Sequence, residues 1–388
     1  MFGAGNVGRG FIGQLFSESG YEVAFVDVDD VLLEALASRH QYTIQLVDNE
    51  TSQAVVVAPV SALHSARQAG EVASALASSR LAATAVGARI LPYIAPLVAE
   101  GIRLRAEAGN EEALNIIICE NLKDAAAAFR QMVDGHLSED LRGYARAHVG
   151  FVDTVIGRMV PPPTPEMRAL DPSLILVEPY KELPVDKHGF VGEIPAVVGM
   201  QPCENFPVYT ARKLYIHNCG HAILAYLGYL RGYEYGYQAL PDAWIRPILE
   251  EGLREARRGI VAEYGVEDGW LKAHADNLLQ RFANRALGDT IFRLGRDPLR
   301  KLAPKDRLVG AARLAEKAGV PPMALSWGIA AGFCFDPRDD PMAAALQERI
   351  GVEGFDAVLA SVSGIQSSEP LGELVKARYL SIKEKGVA

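Results

Sequence analysis

The chain has 388 residues, a formal net charge of −9 at pH 7, and 49% hydrophobic and 22% charged residues. That is the composition of a soluble globular protein long enough for two domains. The acidic balance excludes wholesale attraction to nucleic acid or an anionic membrane, so a small-molecule partner is expected, any anionic group being held by a local basic cluster. Cys119, Cys203, Cys219 and Cys334 form no CxxC pair, which reads as reduced thiols. No apolar run approaches the roughly 20 residues of a membrane span, and no signal-peptide pattern opens the chain. A cytoplasmic monomer or small homo-oligomer is expected.

The first element is a glycine loop, "MFGAGNVGRGFIG", with the spacing Gly3-x-Gly5-x-x-Gly8. Alone, such a loop also suits an ordinary turn. Here "FIGQLFSES" supplies a helix whose N-terminal amides suit a pyrophosphate, and the next strand ends in "FVDVD". Asp27, 19 residues after Gly8, is placed to accept from ribose hydroxyls and to repel a 2′-phosphate, so NAD is expected over NADP. The expected cofactor site is Phe2, Gly3, Ala4, Gly5, Asn6, Val7, Gly8, Arg9 and Gly10 with Asp27. Only Met1 and Phe2 precede the loop where a central strand is expected. That predicts neighbours short of backbone partners, and a natural start several residues upstream.

Next come strand candidates Tyr21 to Asp29, Ala82 to Val86 and Leu114 to Cys119, alternating with helical stretches Val31 to Arg39 and Ile90 to Ala99. This is the βαβ rhythm of a mostly parallel, Rossmann-like sheet. "YTIQLVDNETSQAVVV" predicts an antiparallel hairpin around Asp48-Asn49, and "VPPPTP" a loop. After "ENFPVYT" the pattern turns helical. The predicted domains are therefore 1–200, an α/β dinucleotide-binding domain with a truncated first strand, and 201–388, a mainly α-helical substrate domain. Trp244, Trp270 and Trp327 read as packing aromatics.

The chemistry concentrates in "ARKLYIHNCGHAILAYLGYL". At about 100° per residue Lys213, His217, Asn218 and His221 share an arc of roughly 140°. Such a face is either a solvated surface or a site; a zinc site from His217, Cys219 and His221 is a third reading, weakened by the lack of a fourth ligand. Oxidation of a secondary alcohol without a metal needs a base and donors to the developing alkoxide. Lys213 suits the base if burial lowers its pKa, with Asn218 and His221 orienting substrate or amine. Asn121, after "IIICE", lies past a strand's C-terminal end, where it either donates to the reacting oxygen or caps a helix.

Together "FGAGNVGRGFIG", "NIIICEN" and Lys213-x4-Asn218-x2-His221 resemble the polyol-specific long-chain dehydrogenases, the mannitol dehydrogenase family, over nearly the whole chain. The motif Arg9-Gly10-Phe11-Ile12-Gly13 favours its phosphate-specific branch. The resemblance implies a metal-independent, NAD-linked, reversible oxidation of D-mannitol 1-phosphate to D-fructose 6-phosphate. It also implies Lys213 as general base, Asn121 and Asn218 polarising the reacting oxygen, and His221 as their partner. The family reads Val-Asp-Arg before a proline; here Gly157 replaces the aspartate before Arg158, with Asp153 the candidate substitute. Arg158 is an expected substrate residue. "LGRDPLRKLAPKDRL", with five cations between Arg296 and Arg307, is either a solvated loop or the phosphate site, in which case Arg300 and Lys301 hold the phosphate.

Overall fold

A computed structural model describes residues 1–385; residues 386–388, the end of the expected second domain, lie outside the described residues. Two compact units divide at Met1–Phe206 and Pro207–Ala388.

Unit one is built on a parallel sheet. Its strands are β1 (Val23–Asp27), β4 (Val60–His64), β5 (Leu81–Thr84), β6 (Leu114–Ile118) and β7 (Val149–Asp153). β4 pairs with β1 on one side, and β5, β6 and β7 follow in order on the other. Between β1 and β5 the chain start fills the strand position. Phe2 bridges Val26 and Thr84; its N–H donates to Ala83 O (2.8 Å), its carbonyl accepts from Ala85 N (2.8 Å), and Gly3 N donates to Val26 O (2.8 Å). The amino group of Met1 donates to Ala24 O at 2.8 Å. Three residues thus occupy the place of a full strand, giving the 3-2-1-4-5-6 order of doubly wound dinucleotide folds. The expected shortage of partners is not met at this level: the carbonyls of Ala83, Ala24 and Val26 and the amides of Ala85 and Val26 are bonded to Met1–Gly3.

β6 explains its own sequence. All five residues of "LNIII" are buried, because helices cover one face and a second layer covers the other. Ile116 and Ile118 join the core formed with Val98, Ile102 and Phe129. Ile117 points the other way, to Phe11, Phe25 and Ile44. The second layer holds β2 (Tyr42–Val47) and β3 (Ser52–Val57), antiparallel as the hairpin pattern predicts, with β8 (Ile175–Val177) parallel to β2. β9 (Leu183–Asp186) and β10 (Met200–Cys203) form a parallel pair.

Unit two is helical among the described residues. Its central element runs through 206–230: α-helix Phe206–Arg212, a π-helical turn Lys213–Asn218, and α-helix Cys219–Leu230. The last of these is almost wholly buried. Around it pack Ile245–Tyr264, Ile291–Gly295 and Leu325–Phe333. The Asp268–Phe282 helix packs against the π turn. Glu255, inside the 245–264 helix and 2% exposed, accepts from Ala324 N (2.8 Å) and Leu325 N (2.9 Å), so one helix caps the next.

Candidate functional site

The glycine loop lies at the C-terminal edge of the parallel sheet, the ligand edge of such folds. Each glycine has a distinct physical reason. Gly3 has φ +91°, and a Cβ there would lie 2.5 Å from Ala85 O. Gly8 is pressed on the loop itself: its Cβ would meet Gly3 O at 2.0 Å. Gly5 has no heavy atom within 4 Å of such a Cβ, so its backbone faces open space. A tight turn, a bare approach and a close helix contact are what a pyrophosphate-binding loop needs, and the residues present fit that group. Asp27 organises the loop. Its Oδ2 accepts from Ala4 N at 2.6 Å and its Oδ1 from Val28 N at 2.7 Å and Asp29 N at 3.3 Å; Oδ2 is the oxygen with acceptor capacity left for a ribose hydroxyl.

Two arginines expected to meet ligands are used otherwise. Arg9 is buried, donating from Nε to Ala4 O (2.6 Å) and from NH1 to Ser173 O, and burial lowers its pKa. It braces the loop instead of facing a phosphate. Arg158 is also buried: Nε donates to Glu178 O (2.8 Å), and NH1 to Gly10 O (3.0 Å) and Gln14 Oε1 (2.7 Å). It ties the helix after the loop to the second layer, a structural use in place of the expected substrate contact. Asp153 accepts from Ala126 N at 2.9 Å and so is committed to a helix start. A side chain at Gly157 would meet the Tyr180 ring at 3.0 Å; neither feature restores the missing carboxylate.

Asn121 is exposed just past β6, four residues before the helix Ala125–Asp134. The N-cap of that helix is Asp124, so the capping alternative for Asn121 does not hold. Its neighbour Glu120 was missed by sequence reasoning. Buried at 6% exposure, Glu120 accepts from Thr84 Oγ1 and from Val86 N (2.9 Å) and Gly87 N (3.3 Å), joining the ends of β5 and β6. A carboxylate two residues after the buried Ile116–Ile118 run was the available signal.

In unit two the α-helical projection needs correction. Lys213–Asn218 is a π turn, in which i→i+5 bonding fits more residues into the turn and brings Lys213 and Asn218 closer to one face than the α-helical 140°. His217 is not on an open polar face; it is 2% exposed. Its ring and that of His221 meet edge to face at 5.0 Å, and His221 stacks on Phe282 at 4.0 Å. Burial first, then the charge of Lys213, holds both imidazoles well below the usual histidine pKa. His274 is lowered to about 2 by burial, then by Arg212, Arg281 and Lys213. The imidazoles are therefore neutral beside a cationic group. Among the described residues no three His, Cys, Asp or Glu side chains are grouped to hold a metal.

The basic stretch 296–307 is largely engaged. Arg300 pairs with Asp297 at 2.8 Å. Lys301, 4% exposed, donates from Nζ to Leu294 O, and burial followed by Arg307 and Arg300 lowers its pKa to about 7. A buried, half-neutral amine bound to a carbonyl is a poor phosphate anchor, contrary to the expectation for Lys301. Arg307 pairs with Asp306 at 2.7 Å. No helix among the described residues is long and apolar enough to cross a membrane.

A Rossmann-type unit with a complete glycine loop, followed by a helical unit whose central helix carries lysine, asparagine and histidine, defines a dinucleotide-dependent class of fold. Residues 1–199 match the mannitol dehydrogenase Rossmann domain and residues 205–383 the mannitol dehydrogenase C-terminal domain, and the chain belongs to the mannitol dehydrogenase family. It is 38% identical to a mannitol-1-phosphate 5-dehydrogenase of Bacillus velezensis over 96% of this chain and 97% of that protein. Similar solved folds are a Pseudomonas fluorescens mannitol 2-dehydrogenase in complex with NAD and D-mannitol (TM-score 0.72, 18% identity, 99% of this chain and 91% of that one) and a substrate-free D-sorbitol dehydrogenase (TM-score 0.82, 17% identity, 99% and 93%).

Proposed function

We propose that the protein is an NAD-dependent polyol-phosphate dehydrogenase that interconverts D-mannitol 1-phosphate and D-fructose 6-phosphate. The observation that carries the reading is the π turn that brings Lys213 and Asn218 toward one face, with His221 one turn on, in a chain so similar over its length to a mannitol-1-phosphate 5-dehydrogenase. The glycine loop, through its backbone around Gly5, and the Asp27 carboxylate hold the cofactor, with Phe2 and Arg9 bracing the loop from behind. When bound, the dinucleotide supplies the hydride acceptor. Lys213 takes the hydroxyl proton at Nζ during oxidation and returns it during reduction. The Asn218 amide donates to the reacting oxygen, Asn121 being the second such donor, and they stabilise it as charge develops. His221, as a neutral imidazole, hydrogen-bonds the substrate without adding a charge.

The phosphate falls to the basic stretch, where Arg300, half-exposed and held by surface pairs with Asp297 at 2.8 Å and Asp306 at 4.0 Å, is the side chain most readily exchanged onto a phosphate dianion. The test is NADH oxidation with fructose 6-phosphate against unphosphorylated fructose. The reading predicts a large preference for the phosphorylated ketose, reduced in Arg300→Ala through a raised KM. Equal use of both sugars would overturn it.

A further inference from the structure

The His221 imidazole lies flat against a phenyl ring. Phe282, the last residue of the Asp268–Phe282 helix and 6% exposed, stacks its ring on the imidazole at a centroid distance of 4.0 Å and 29°. His217 meets the same imidazole from a second direction, edge to face at 5.0 Å and 66°, and meets Phe282 at 6.3 Å and 84°. Gly220 lets the phenyl ring in: a Cβ there would come to 3.2 Å from Phe282 Cε2. His217 is 2% exposed and its Nδ1 is buried without a hydrogen-bond partner, so packing contributes to its placement.

We infer that Phe282 and His217 are positioning residues that clamp the His221 ring in a single plane. The inference rests on the proposed role of His221 in the polyol-phosphate reaction. A ring stacked on a phenyl face and met from a second direction by an imidazole cannot rotate about its Cβ–Cγ bond without breaking both aromatic contacts. The charged and titratable groups that face the pair are Lys213 on the same helix, Arg281 and His274 from the 268–282 helix, Arg293 from the 291–295 helix, and Arg307 ahead of the Val309–Lys317 helix. Glu255, from the 245–264 helix, acts on the neighbouring Cys219 and is already bonded to Ala324 and Leu325. Desolvation first, and then these cations, hold the His221 pKa well below the usual histidine value, so it contributes no ionisation of its own to catalysis near neutral pH.

The test combines a spectroscopic and a kinetic reading on the full-length protein. In the wild type, the His221 imidazole resonance, assigned by its loss in His221→Asn, should stay in its neutral position from pH 8 down to 5.5. A midpoint near 6.5 would overturn the clamp, whatever the enzyme's substrate proves to be. In Phe282→Leu the resonance should begin to titrate in that range. Its kcat for fructose 6-phosphate reduction should fall by up to ~100-fold, with KM for NADH unchanged and an added acidic limb in the rate profile, and Phe282→Tyr should restore all three. A Phe282→Leu protein with wild-type kcat and a silent His221 would refute the positioning role. Absence of polyol-phosphate activity in the wild type would instead refute the proposed function and leave the resonance to decide the clamp.

Discussion

Single residues show the division of labour most directly. Gly8 and Gly5 carry the same fingerprint but opposite environments, one pressed against a carbonyl and one facing space. Gly8→Ala should therefore destabilise the fold by ~1–3 kcal/mol or more through overpacking. Gly5→Ala should leave stability nearly unchanged while weakening NADH binding about tenfold or more, ~1.4 kcal/mol. Denaturant midpoints and NADH fluorescence titration separate the two effects, and equal losses in both variants would contradict the assignment. Lys301 makes a second case. Its folded pKa is lowered to about 7, while the unfolded side chain keeps a value of about 10.4. Unfolding between these limits takes up a proton, so stability rises with pH through the window and the burial penalty is complete below about pH 7. Lys301→Met should flatten that rise, seen as a smaller difference between urea midpoints at pH 6.5 and pH 9.5 than in the wild type. An unchanged difference would mean the amine is not buried as found.

At the scale of elements, the pattern of residues told much but not all. The alternation of apolar strands and helices, the hairpin at 42–57 and the wholly buried β6 were legible because period-2 and unbroken apolar runs have few solutions. The π turn at 213–218 was not, since a projection at 100° per residue assumes the α geometry it is used to detect. For the same reason His217 was placed on an open face when it is buried. The roles of Arg9, Arg158 and Lys301 were illegible for another reason: a cation's partners are backbone carbonyls distant in sequence, as with Arg9 and Ser173, and carbonyls leave no mark in composition. Glu255 is a further tie of this kind. Glu255→Ala removes the acceptor for two amides at the start of the Leu325–Phe333 helix and should cost about 1–3 kcal/mol in chemical denaturation. A change below ~0.5 kcal/mol would show that the cap is dispensable.

For the whole molecule, each unit supplies what the other lacks in chemistry. The first carries a loop shaped for a dinucleotide, with Asn121 at the same sheet edge; the second carries the lysine, asparagine and neutral histidine on one helix. The central claim is that Lys213 is the base of a polyol-phosphate oxidation. It is tested most directly by the initial rate of D-mannitol 1-phosphate oxidation with NAD from pH 6 to 10, in the wild type and in Lys213→Ala. The account predicts a rate that rises with pH in the wild type as the lysine amine loses its proton, and a fall of at least ~100-fold, with that rise abolished, in the variant. A flat wild-type profile, or a variant that keeps both the rate and its rise, would contradict it.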